Sequence, residues 1–191
     1  MPEKLLALDV LMVPGLLAVN DLSGAHCAMM DILRATTTIT TSLMNGAREV
    51  LPCMNADEAR SRAGELSPGS YLLGGEQKGL RIPGFDLGNS PLEYSPEIVT
   101  GKTITFSTTN GTPTMRTTYT NSQLPVYIAS LLNLGAVAKA LIAEAEKSLP
   151  AKIALICSGT HGALALEDAY CAGLMVKQIE ALAKDKGISL D

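Results

Sequence analysis

Seven short apolar runs, separated by segments of helical periodicity, restrict this chain to very few architectures. The runs are LLALDVLMV (5–13), AHCAMMDI (25–32), EVLPCM (49–54), YLLGG (71–75), TITFST (103–108), PVYIAS (125–130) and KIALICSG (152–159). Between them Leu134, Val137, Ala138, Leu141, Ile142 and Ala145 recur at 3.6-residue spacing. ADEARSRAGEL and LEDAYCAGLMVKQIEALAK follow the same period. Strands that are apolar nearly throughout, alternating with helices, predict a mostly parallel sheet covered on both faces. The expected fold is α/β, three layers deep, with residues 1–191 forming a single domain. Residues 74–101, GGEQKGLRIPGFDLGNSPLEYSPEIVTG, break the alternation. They are too rich in Gly and Pro for regular structure and too long for an ordinary connection, and are expected to form a long loop over the active site.

Composition narrows the function. A hydrophobic share of 47% with only 18% charged residues argues for a buried core and against disorder. A net charge of −4 offers no electrostatic reason for a nucleic-acid or anionic-membrane partner. The apolar N-terminal stretch is interrupted by acids, prolines and Gly15 and lacks a basic start, so neither a signal peptide nor a membrane helix is expected. The four cysteines form no CxxC pair and no zinc pattern; three lie in or beside apolar runs as small hydrophobes, which suits a reducing cytoplasm.

Polar residues gather where the apolar runs end. AMMDI leads into LRATTT, YLLGG into EQKG, TITFS into TTNGT, YIAS into LLN, and ALICSG into THG. In an open parallel sheet, ligands sit beyond the carboxyl ends of the strands, so five such endings predict one shared polar site. Helix N-termini, hydroxyls and glycines (Gly111, Gly159, Gly162) suit an anion, and Arg34 can grip an oxyanion through two bonds. Asp31, Glu76, Asp86, Glu167 and Asp168 would repel that anion unless a cation stood between them; Mg²⁺ is the expected ion. The residues also admit plainer roles. Thr36 to Thr38 could cap a helix, Arg34 could pair with a surface acid, Asp86 could form an Asx-turn, and Glu167 with Asp168 could complement a helix dipole. His161, in a glycine-flanked turn, is a weaker candidate acid–base group. No C-x5-R, DxDx(T/V) or GxxxxGK[ST] signature is present, which leaves no familiar covalent nucleophile.

The segments DILRATTTI, GGE with IPGFDLGNSP, TTNGT, SLLN, and CSGT followed by LEDAYCAG, together spanning about residues 28–175, resemble the 2-phosphosulfolactate phosphatase family of coenzyme M biosynthesis. The resemblance implies Mg²⁺-dependent hydrolysis of the phosphate ester of 2-phospho-3-sulfolactate, an α/β fold and a homodimer. The alternatives are a phosphatase for another small phospho-acid and a non-catalytic anion-binding relative. Matched motif by motif, Asp31, Arg34, Glu76 and Asp86 become catalytic candidates. Thr36, Thr37, Asn89, Thr108, Thr109, Asn110, Ser130, Asn133 and Thr160 become substrate-binding candidates. Asp31, Glu76, Asp86, Glu167 and Asp168 become the metal candidates. Direct in-line attack by water then needs no protein nucleophile. Gln77 and Lys78 stand where the family pattern often has arginine, so a basic contact is expected from Lys78 or Arg81. The chain ends at KGISLD where family members continue, which implies a missing C-terminal part.

Overall fold

The computed structural model describes residues 4–191. Seven strands coincide with the apolar runs: β1 (Leu5–Leu11), β2 (His26–Met30), β3 (Glu49–Cys53), β4 (Tyr71–Gln77), β6 (Thr103–Ser107), β7 (Val126–Ala129) and β8 (Ala151–Cys157). Two short strands join them, β5 (Leu80–Arg81) and β9 (Ser189–Leu190). The helices are α1 (Ala35–Met44), α2 (Ala56–Gly64), α3 (Pro96–Val99), α4 (Gly111–Ser122), α5 (Leu134–Ala145) and α6 (Leu166–Asp185).

Pairing is mostly parallel, as the alternation predicts, but the strands divide between two sheets. The first has the order β7-β2-β8-β1-β9 and is parallel throughout. The second runs β3-β6-β4-β5, parallel except for the β4–β5 hairpin. Helices α5 and α6 cover one face of the first sheet, where Leu141, Ile142, Met175 and Ile179 pack on Met30, Ile153 and Leu155. Its other face, through Met29 and Ile156, shares a core with Ala35, Ile39 and Met115 and with Ile104 and Phe106 of the second sheet. Helices α1 and α4 therefore lie between the sheets, and α2 closes the outer side of the second sheet beside Cys53, Ile82 and Phe85. The layers run helix, sheet, helix, sheet, helix. Alternation of apolar runs fixes strand and helix identity, but not which strands share a sheet.

The central layer explains the threonine run in α1. A buried helix between two sheets needs small side chains, and any hydroxyl it carries needs a partner. Thr36, Thr38, Thr40 and Ser42 of α1, and Thr112, Thr114, Thr118 and Ser122 of α4, are all buried. The Thr40 hydroxyl donates to the Thr36 carbonyl at 2.8 Å, Ser42 to Thr38 at 2.7 Å and Thr118 to Thr114 at 2.8 Å. Threonine here behaves as a valine-sized filler that satisfies its hydroxyl on the preceding turn.

Segment 74–101 is anchored along its length. Leu87 forms a parallel bridge to Gly74, the Tyr94 hydroxyl donates to the Gly88 carbonyl at 2.6 Å, and the Thr38 hydroxyl donates to the Asn89 carbonyl at 3.1 Å. A Cβ on Gly75 (φ 133°) would meet the Ser107 carbonyl oxygen at 1.9 Å, so only glycine lets β4 pass this close to β6.

Candidate active site

The carboxyl ends of strands from both sheets open onto one cleft of about 480 Å³. The turn after β2 supplies Asp31, Leu33 and Arg34, and the β4–β5 hairpin supplies Glu76, Lys78 and Gly79. Asn89 comes from the anchored segment, Thr109 and Asn110 from the turn into α4, and Thr160 and His161 from the turn after β8. The convergence follows from topology: α1 and α4 both begin at this end of the central layer, so two helix N-termini flank the cleft.

Asp31 is buried, and its Oδ1 accepts the Ala35 N–H at 3.0 Å. Burial pushes its carboxyl up from 3.8 to about 6; the nearby acids Asp168 and Glu76 push the same way, against the Ala35 and Arg34 N–H groups. Gly111 makes this burial possible, because a Cβ there would stand 2.6 Å from both Asp31 Oδ2 and the Ala35 Cβ. Arg34, half-buried, forms no ion pair with any described residue, and neither does Lys78. Two uncommitted cations in a cleft with two helix N-termini are the electrostatics of an anion site.

Glu76 is buried with both carboxylate oxygens engaged. Oε1 accepts the Thr109 N–H at 2.7 Å; Oε2 accepts the Thr109 hydroxyl at 3.1 Å and the Gly79 N–H at 2.6 Å. Asn110 begins α4 and accepts the His161 N–H at 3.3 Å through Oδ1, joining the turns after β6 and β8.

The cleft thus gathers Asp31, Arg34, Glu76, Asn89, Thr109, Asn110 and Thr160 from the expected set, but not the rest. Thr36 is fully buried; its hydroxyl accepts the Asp31 N–H at 3.0 Å and donates to the Asp31 carbonyl at 2.9 Å. Thr37 donates to the Ile32 carbonyl at 2.7 Å. Both hydroxyls expected on phosphate instead build the turn that presents Asp31. Thr108 and Thr112 exchange reciprocal bonds at 3.0 Å that fasten the turn after β6 to the first turn of α4. Ser130 and Asn133 bond each other in the turn after β7.

Three expected metal residues also lie elsewhere. Asp86 is exposed and its Oδ2 accepts the Leu73 N–H at 2.8 Å, fastening segment 74–101 to β4. Asp168 is buried, accepting the Ile32 N–H at 2.8 Å on Oδ1 and the Gly159 N–H at 3.0 Å on Oδ2, so it ties the turn after β2 to that after β8. Burial pushes its carboxyl up as well. Glu167 is half-buried in the first turn of α6, outside the cleft. Among the described residues no three His, Cys, Asp or Glu side chains stand close enough to cage a metal ion.

Oxygen donors suited to Mg²⁺ nonetheless meet in the cleft. Asp31 and Glu76 are its carboxylates, and the Asn89 Oδ1 is buried with no hydrogen-bond partner. Mg²⁺ typically takes one or two carboxylates and completes its shell with water and substrate phosphate, so this donor set fits it without a protein cage. Thiol chemistry does not fit: Cys27, Cys53 and Cys171 are pushed up to about 11 and Cys157 to about 12, all by burial, leaving no reactive thiolate near neutral pH.

The cleft also holds Lys78, one of the two basic contacts expected from the sequence, and His161, the weaker acid–base candidate. Lys78 and Gly79 form a hairpin that a Gly-rich stretch with only a short apolar run does not announce, although KG was a usable turn signal. His161 stands at φ 52° in the turn after β8.

The family model described as 2-phosphosulpholactate phosphatase matches residues 12–190. A probable 2-phosphosulfolactate phosphatase of Clostridium perfringens (strain 13) is 42% identical over 174 residues, covering 90% of this chain and 68% of the relative. Another from Symbiobacterium thermophilum is 44% identical over 158 residues, covering 83% and 65%. A third, from Caldanaerobacter subterraneus, is 40% identical over 163 residues, covering 85% and 65%. The chain spans about two thirds of the length of these relatives.

Proposed function

The chain belongs to the 2-phosphosulpholactate phosphatase family, and on that premise we propose that it hydrolyses the phosphate ester of 2-phospho-3-sulfolactate to 3-sulfolactate and phosphate, with Mg²⁺. The observation that carries this reading is the cleft itself, where Arg34 at the start of α1 and Lys78 in the β4–β5 hairpin form no ion pair with any described residue and line the same wall as the buried Asp31. The Arg34 guanidinium forks two phosphate oxygens, and the helix N-termini favour the remaining negative charge. Asp31 and the Asn89 Oδ1 would hold Mg²⁺, which when bound polarises the phosphoryl group and orients water. Water oxygen bonds to phosphorus as the phosphorus–ester oxygen bond breaks; the attacking water gives up one proton and the departing sulfolactate oxygen takes one up, so the products are 3-sulfolactate and phosphate with no net change in protons. Asp31, ionised above about pH 6, supplies the negative charge that the cation requires.

Four free, buried cysteines support the cytoplasm as its compartment, and no described helix is long and apolar enough to cross a membrane. A homodimer and a place in coenzyme M synthesis rest on the family resemblance. Phosphate release from 2-phospho-3-sulfolactate, measured with Mg²⁺ and with EDTA, tests the reading. Turnover abolished by EDTA and restored by Mg²⁺ is expected. Equal rates with EDTA would remove the metal, and faster release from another phospho-acid would replace the substrate.

A further inference from the structure

The β4–β5 hairpin carries a residue that its turn does not favour. Gln77 pairs with Leu80, leaving Lys78 and Gly79 as a two-residue connection. Both have positive φ, 54° at Lys78 and 80° at Gly79, as in a type I′ turn. Such turns take Asn, Asp or Gly at the first position; a lysine there suffers the steric penalty of the left-handed region. A residue standing at a position it disfavours points to a use outside the fold.

The surroundings show where that use lies. The Lys78 N–H donates to the Thr109 hydroxyl at 3.0 Å, that hydroxyl donates to Glu76 Oε2, and the same oxygen takes the Gly79 N–H. Buried Glu76 thereby fastens the hairpin tip to the turn that starts α4. The Lys78 side chain is exposed, lines the cleft and forms no ion pair with a described residue. Arg81, the other cation of the hairpin, does not line the cleft; its guanidinium donates to the Asp86 carbonyl at 3.2 Å. Arg34 lines the same cleft from a turn of the other sheet, so the two cations reach it from different sheets.

We propose that Lys78 is a specificity-determining residue, pairing with the sulfonate of the substrate while Arg34 takes the phosphate, and that Glu76 and Thr109 are positioning residues that hold it there. The guanidinium fork suits paired oxygens, whereas an ammonium is a compact point charge that serves any face of a three-oxygen sulfonate. The proposal rests on the phosphatase reading for its substrate, but not for its test.

Binding of 3-sulfolactate and of inorganic phosphate is measured separately by calorimetry on the whole chain and on Lys78→Asn, Lys78→Arg and Thr109→Val. Lys78→Asn restores the favoured turn residue, so its melting temperature should equal or exceed that of the parent. Its affinity for 3-sulfolactate should fall roughly 10- to 100-fold, the range for losing one charge-assisted hydrogen bond, with phosphate affinity changing less than about threefold. Lys78→Arg should recover most of the loss. Thr109→Val should weaken 3-sulfolactate binding in the parent and add nothing in the Lys78→Asn background, as coupled residues do. Unchanged sulfolactate affinity in Lys78→Asn, or equal loss of both ligands, would overturn the assignment. Turnover separates the two readings. Hydrolysis of phosphosulfolactate with KM unchanged in Lys78→Asn would sink this proposal alone, whereas Lys78-dependent sulfolactate binding without any phosphate release would sink the phosphatase reading alone.

Discussion

Gly111 and Asp31 touch in a way that leaves no room for a methyl group: a Cβ at 111 would lie 2.6 Å from Asp31 Oδ2. In an ordinary first helical turn, Gly to Ala gains helix propensity of about 1 kcal/mol. Gly111→Ala should instead lose about 1–3 kcal/mol through overpacking against Asp31 and Ala35. It should also lower kcat, since the carboxylate must move. Chemical denaturation and phosphate release measure the two effects; a stabilised, active variant would refute the contact.

The burial of Asp31 makes stability depend on pH in a stated direction. Its folded value of about 6 exceeds the unfolded value of 3.8, so the folded chain holds a proton that the unfolded chain releases between those values. Stability attributable to this group therefore falls as pH rises from about 4 to 6, and the full cost stands above 6. Asp31→Asn cannot ionise. In metal-free buffer it should be more stable than the parent by about 2–3 kcal/mol at pH 8, with the difference closing near pH 4, and it should be inactive. Thermal melts at both pH values decide this.

Asp168 takes two backbone donors from turns on neighbouring strands, Ile32 at 2.8 Å and Gly159 at 3.0 Å. Asp168→Ala leaves both N–H groups buried and unpaired, a loss of about 3 kcal/mol or more. Asp168→Asn should also destabilise, because its amide NH₂ would face one N–H donor. A melting temperature unchanged in either variant would mean that the turns do not depend on this carboxylate.

Two threonines in the central layer should respond differently to valine. The Thr118 hydroxyl serves only the Thr114 carbonyl, which keeps its helical bond, so Thr118→Val should change stability by less than about 1 kcal/mol. The Thr36 hydroxyl also receives the buried Asp31 N–H, so Thr36→Val should cost about 1–3 kcal/mol and lower activity with it. Equal effects would show that the turn at Asp31 does not rely on Thr36.

These contrasts mark how far the sequence could be read. The period of α5 identified its buried face residue by residue, because leucine, valine and isoleucine carry their burial in their chemistry: Leu134, Val137, Leu141 and Ile142 are all inside. Thr36, Thr40, Thr114 and Thr118 are inside too, yet a hydroxyl that bonds the preceding turn looks the same in sequence as one aimed at a ligand. Strand ends located the cleft at Asp31, Glu76, Asn110 and Thr160. Asp86 and Asp168 were indistinguishable from site acids by residue type; which N–H groups they accept depends on chain segments 13 and 136 residues away.

That last separation has a kinetic consequence. Arg34 and Thr160 face one cleft only once β2 has paired with β8 and Asp168 has closed on Ile32, contacts among the most distant in sequence. Such long-range pairing is slow to form. During refolding from denaturant, helical signal from α5 and α6 should return first and ligand binding last. Ligand binding is then a readout of β2 having paired with β8 inside the first sheet.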